Sequence, residues 1–476
     1  KLGRSHRSTL VTIGNLAQTH IAAGKLEQAI ALHEEALELS KATLGLEHTV
    51  TLTSMNGLAT AYHYVGKYEK ALPLLEDVRR RSVAKLGPDH PDTLASSNNL
   101  ATAYKSAGKL EKALPLFEET LAFAKVKFGP DHPNTLASRS NLAGAYQAAR
   151  DLDRALPLFE ETLQIAKTKL GPGHPHTLIL MNNLAHVYTA AGKSNQAILL
   201  SEETVNLMKA NLGPDHPETL SSMASLAYAY RIAGKPEQAI PLYEETVKLM
   251  KAKLGSDHLN TMNTMSNLGR AYLAVDQPAK ALPLYEETVT RMKAKLGAEH
   301  PSTMNTMGTL AAAYLKVNQP EKALLLFDQL IACHRIKAVP DDPALADELA
   351  WVSLELLNHR QYSSAETHLR ECLMIREKVQ PEAWTTFNTQ SMLGGSLLGQ
   401  QKYGEAEPLL LAGFGGMKQR EKTIPPQAQV SLPEALDRLI KFYTATEKSD
   451  EVKKWQAERA KYPPAAVPSP EKKVDP

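Results

Sequence analysis

Eight histidines recur at a fixed step of 42 residues: His6, His48, His90, His132, His174, His216, His258 and His300. Imidazole is a common zinc ligand, so metal binding is the first chemistry to weigh. The spacing argues against it. A zinc site draws its ligands into one tetrahedral shell, usually with a cysteine, histidine or carboxylate a few residues away. Here each histidine stands a whole period from the next and no such motif accompanies it. Helix capping or packing between neighbouring segments is the expected role, and no metal or other cofactor is implied. Paired carboxylates also recur, at 34–35, 118–119, 160–161, 202–203, 244–245 and 286–287. Consecutive residues on a helix point in different directions, so these pairs are expected to form a solvated outer stripe and not an acid/base dyad. Gly192-Lys193-Ser194 imitates the end of a phosphate loop, but Val187 stands where the earlier glycine is needed. No kinase glycine loop, His-Arg-Asp or Asp-Phe-Gly occurs. No residue is assigned a catalytic role.

The elements that carry these residues are set by the same step. A Leu-Gly or Phe-Gly pair falls at 2–3, 44–45, 86–87, 128–129, 170–171, 212–213, 254–255 and 296–297. A period of this length signals a solenoid, in which each unit buries its apolar face against its neighbours. In the third repeat, Asp89 or His90 can cap a helix that begins at Pro91. Leu94, Leu100, Ala101 and Tyr104 follow at helical spacing until Gly108-Lys109. A second helix is expected from about Leu110 to Lys127, with Ala113, Leu114, Phe117 and Leu121 on one side. Its small residue keeps the step without exception, at Ala29, Ala71, Ala113, Ala155, Ala197, Ala239, Ala281, Ala323 and Ala365. A larger side chain there would push paired helices apart. Pro73, Pro115, Pro157, Pro241 and Pro283 sit inside this second helix and predict a bend in it.

Bulk properties restrict the function classes. With 54 basic and 52 acidic residues in 476, the chain lacks the basic excess of a nucleic-acid surface. No apolar run approaches the roughly 20 residues that span a bilayer, so membrane insertion is not expected. Two cysteines, Cys333 and Cys372, cannot make a disulfide framework; buried free thiols and a cytoplasmic location follow. The opening Lys1-Leu2-Gly3 reads as the middle of a repeat, the expectation for a fragment of a longer chain.

The leucines, the small residues and Tyr62, Tyr104, Tyr146, Tyr188, Tyr230, Tyr272 and Tyr314 at the first-helix ends resemble tetratricopeptide repeats. The His-Pro start, the long loop and the Ala-Leu-Pro-Leu string resemble the kinesin-light-chain type in particular. This resemblance implies an all-α fold, a right-handed α-solenoid of about eleven stacked helix-turn-helix units with a 42-residue period. The regular array is expected over residues 1–330 and degenerate units with a C-terminal cap over 343–461, where Asp342 takes the histidine slot. A disordered, proline-rich tail is expected over 462–476. The closing stretch, from Leu409 through Lys418-Gln-Arg-Glu-Lys to Lys453-Lys-Trp455, resembles the end module of arrays that follow bacterial serine/threonine protein kinase domains.

In such folds the first helices line a concave face, and the resemblance locates that face. Relative to Leu100 it comprises the positions −5, −2, −1, +2, +5 and +6, which fall on one stripe of the helix. Over eight repeats these 48 positions hold no Asp or Glu, where the overall frequency would place about five. They hold the cations Lys105, Arg231, Arg270 and Lys316, with His63 and His186, the aromatics Tyr64 and Tyr228, and a run of amides that includes Asn98, Asn99, Asn141, Asn182, Asn183 and Asn267. Asparagine costs a helix interior a few tenths of a kcal/mol. Two reasons for its recurrence stand open: a ladder that bonds an extended peptide backbone, or bridges between adjacent helices. Asp347 and Trp351 break the pattern and mark where the groove is expected to end. The expected function is a non-enzymatic, monomeric interaction array that holds an extended acidic peptide or protein segment and no nucleic acid. The rival is a regulatory or substrate-docking region of a larger bacterial serine/threonine kinase.

Overall fold

A computed structural model describes residues 3–23, 25–337, 341–425 and 428–462. The proline-rich tail beyond Tyr462 lies outside the described residues, as does Leu2 of the first Leu-Gly pair. Among the described residues the chain is all-helical: 22 α-helices in eleven antiparallel pairs, with one 3-10 turn at Glu421–Thr423. The third pair runs Pro91–Ser106 and Leu110–Phe128, and the ninth runs Pro343–Asn358 and Tyr362–Val379. The eleventh pair, Ser431–Ala445 and Ser449–Arg459, closes the series.

The recurring histidines define the helix starts. In all eight repeats the histidine is the N-cap, and its Nδ1 accepts a hydrogen bond from the backbone N–H two residues on, at 3.2–3.3 Å. Asp342 makes the same bond to Ala344, at 2.9 Å. An acceptor at this point satisfies one of the free N–H groups of the first turn, and in five of the eight repeats a proline behind it (Pro91, Pro133, Pro175, Pro217 and Pro301) presets the helical φ. At the other end Gly108 turns the chain with φ 73°, while Lys109 N–H reaches back to the Tyr104 carbonyl at 2.9 Å. Arg150, Asp276, Asn318, Arg360, Gln401 and Glu447 adopt the same left-handed geometry in later turns without being glycine. The helices that contain Pro73, Pro115, Pro157, Pro241 and Pro283 continue unbroken past them.

Packing follows the period. All nine recurring alanines are fully buried. Four residues further along the second helix, Phe117, Phe159, Tyr243, Tyr285 and Phe327 are also fully buried. In the first repeat that slot holds His33, which is 3% exposed with neither ring nitrogen hydrogen-bonded. Its imidazole lies against Gly57, where a Cβ would fall 2.2 Å from Cε1, so only glycine fits beneath it. Burial lowers the His33 pKa.

The paired carboxylates correct the expectation of a solvated stripe. The first member of each pair accepts a hydrogen bond from the tyrosine of the following repeat: Tyr62 to Glu34 at 2.7 Å, Tyr146 to Glu118 at 2.8 Å, Tyr188 to Glu160 at 2.9 Å and Tyr314 to Glu286 at 2.6 Å. Tyr230–Glu202 and Tyr272–Glu244 repeat the bond, and Tyr104 makes it to Glu76 at 2.5 Å. Burial and then the carboxylate push Tyr62, Tyr104, Tyr188, Tyr230, Tyr272 and Tyr314 up to about 12. The second member reaches outward to ion pairs, such as Glu119 with Arg79 at 2.9 Å and Glu203 with Lys167 at 2.8 Å.

The chain divides into two bodies. One ends at Asp276 and takes in Thr290–Leu296; the other holds Gln277–Val289 and the chain from Gly297. Each is a stack of helix pairs. Cys333 and Cys372, both in the second body, are buried free thiols, and Cys372 Sγ lies 3.1 Å from the Ala346 carbonyl.

Candidate functional site: the wall of first helices

Within the first body, the first helices of successive repeats pack against one another from Thr49–Tyr64 through Leu259–Ala274. The second helices are joined instead by long side chains such as Arg79 and Lys167.

Several asparagines of this wall bridge adjacent first helices. Asn99 Nδ2 donates to Asn56 Oδ1 at 3.1 Å, and Asn141 Nδ2 to Asn98 Oδ1 at 3.4 Å. Asn183 donates to Ser140 Oγ at 3.2 Å and Asn182 to Ser222 Oγ at 2.6 Å. Each amide nitrogen keeps a second hydrogen, so the bridges reduce without abolishing what the column can offer a ligand backbone. Asn182 Oδ1 is buried without a partner. The serines that receive these bonds were not legible as wall partners, although they stand one repeat, give or take a few residues, from the residue they hold.

Two clusters of cationic and imidazole groups lie on the wall. In the first, His63 Nε2 is 2.9 Å from Ser106 Oγ, and its ring centroid is 5.7 Å from that of Tyr64 and 5.6 Å from that of Tyr68. Lys105, half-buried, is the cation of this cluster. In the second cluster, His186 Nε2 is 3.1 Å from Ser225 Oγ. The His186 ring lies 6.2 Å from Tyr228, and the Arg231 guanidinium sits 5.0 Å from the Tyr228 ring centroid. Burial lowers the pKa values of His63, His186 and Lys105, and the Lys105 charge lowers His63 further.

Arg231 is 7% exposed, deeper in the wall than its stripe position alone indicates. Asn98, Asn141, Asn182, Asn183, Asn267, Tyr228 and Arg270 are half-buried and Asn99 is exposed, all in the first body. Lys316 is exposed and belongs to the second body. Asp347 pairs with the buried Arg376 at 2.6 Å, and Trp351 packs edge-on to Phe327 at 5.8 Å. Among the described residues no three His, Cys, Asp or Glu side chains gather where they could hold a metal ion. No described helix is long and apolar enough to cross a membrane.

Stacked helix pairs with a polar wall of first helices define a repeat scaffold of the protein-interaction class. The chain belongs to the tetratricopeptide repeat family: tetratricopeptide repeat models match residues 8–82 and 121–335, with a further match at 93–134. None of the curated proteins matches. Among solved structures it is similar to a Podosopora anserina protein named for kinesin light chain and nearly identical TPR-like repeats. That likeness is at 33% identity over 42% of this chain and 95% of the other, with a TM-score of 0.37. It is also similar to BtubC (BKLC) from P. vanneervenii, at 19% identity over 48% of this chain and 91% of the other, with a TM-score of 0.39. A Rap protein complexed with Competence and Sporulation Factor shares 12% identity over 78% of this chain and 98% of the other, with a TM-score of 0.49.

Proposed function

We propose that the array binds an extended, acid-containing peptide segment of another protein along the first-helix wall of its first body. The observation that carries this reading is the wall's charge: its stripe positions contain no Asp or Glu, yet include Lys105, Arg231 and Arg270. An anionic chain laid there meets cations and amides and no repelling carboxylate. The half-buried Lys105 and Arg270 contribute about 0.5–1 kcal/mol each and weaken with salt, whereas Arg231 lies deeper in the wall. Backbone bonds to the spare amide hydrogens contribute about 0.5–1.5 kcal/mol each. The proposed setting is a cytoplasmic, monomeric array, regular over residues 1–330 and degenerate over 343–461. Attachment to a kinase is the form of this function that the resemblance of the closing module proposes, and the parent gene sequence tests it.

A peptide-array screen with the whole chain tests the reading. Acidic extended peptides are expected to bind, and Asn141→Ala with Asn183→Ala to weaken all ligands alike. Arg231→Glu with Arg270→Glu is expected to reject acidic ligands selectively, once circular dichroism shows both variants folded. Preference for basic peptides, or binding that survives both double substitutions, overturns it.

A further inference from the structure

The two cationic clusters place their cation at the same repeat position, although their histidines and serines stand in different slots. Lys105 and Arg231 occupy the same position of the repeat, five residues after Leu100 and Leu226, and lie 126 residues or three whole periods apart. Each follows a histidine on the preceding first helix that is hydrogen-bonded to a serine on the cation's own helix: His63 to Ser106 and His186 to Ser225. Each cluster also carries tyrosine, Tyr64 and Tyr68 in one and Tyr228 in the other. Between them the same slot holds the uncharged Gln147 and Thr189. Within the first body, charge on this wall is therefore carried by Lys105 at one end and by Arg231 with Arg270, one repeat further on, at the other, with two uncharged repeats between.

The separation follows from helix packing. Adjacent first helices in contact have axes about 9 Å apart, so three steps span ~27 Å. An extended chain advances ~3.3 Å per residue, so it covers that span in about eight residues. We propose that the wall selects a bipartite ligand, a peptide with two acidic positions about eight residues apart, one for the Lys105 cluster and one for the Arg231 cluster. The proposal rests on the peptide-binding reading above and adds to it a rule of spacing. Once one acidic group is held, the second contact is intramolecular, and its gain depends on whether the intervening chain matches the span.

The test is a set of fluorescein-labelled peptides of equal length and charge. Each has two Glu-Glu pairs in a Ser/Asn background, separated by about two, five, eight or eleven residues. Anisotropy with the whole chain is expected to show tightest binding near eight, about three- to tenfold tighter than at two, at low salt. Lys105→Gln should remove the dependence on spacing and leave the affinity of one pair. Arg231→Lys, which keeps the charge of this buried residue, should retain the optimum, whereas Arg231→Gln should lose it. Affinity that is independent of spacing while acidic peptides still bind overturns the bipartite rule and leaves the simpler reading standing. No binding by any acidic peptide overturns both.

Discussion

At the scale of single residues, His33 departs from its column by burying an imidazole. Later repeats fill that slot with Leu75, Phe117 or Phe159, whereas His33 buries two ring nitrogens without partners. A buried polar group without a hydrogen bond costs about 1–3 kcal/mol. Burial also lowers its pKa below the ordinary 6.5. As pH falls below the unfolded value, the unfolded chain takes up a proton that the folded ring refuses, so stability present at neutral pH is lost on acidification. His33→Phe is expected to stabilise the first body by about 1 kcal/mol at neutral pH. It should also flatten the decline of its melting temperature between pH 7 and 5. A variant less stable than the parent at both pH values would show that the imidazole is held favourably against Gly57.

At the scale of the helix pair, the fully buried alanines mark where the two helices of a repeat approach most closely. Ala155→Leu is expected to cost about 1–3 kcal/mol through overpacking. Because each repeat rests on its neighbours, the loss should be local. Hydrogen exchange should show lowered protection around Leu152–Lys169 and its neighbours; an even loss from end to end would contradict a stack of coupled units. The alanine column, the glycine turns and the histidine slot were legible in the sequence because each depends on backbone geometry within a few residues. The Tyr–Glu bond was not. Its partners lie 28 residues apart, and only the placement of one second helix against the next first helix brings Glu160 to Tyr188. The asparagines were legible as a column but not in their use. Propensity says that a mid-helix amide has a reason, while the choice between bridging and ligand binding depends on whether Asn98 and Asn141 meet across two helices. The depth of Arg231 was not legible, because a stripe position gives direction and not depth.

At the scale of the whole molecule, repetition builds the wall of the first body from many small contributions. The tyrosine-to-glutamate bond gives that assembly a direction. A phenol donates and a carboxylate accepts, so each of the seven joints from the first repeat to the eighth has one donor side and one acceptor side, and these joints match one another. The chain can therefore change length only in whole steps. Removing residues 133–174 would join His132 to Pro175 and set Glu118 opposite Tyr188 in place of Tyr146, donor to acceptor as before. Such a deletion should still fold by circular dichroism. Lys105 and Arg231 would then be two repeats apart, and the preferred separation of acidic pairs should shorten to about five residues. The array behaves as a ruler whose graduations are set by the gene, one helix pair at a time.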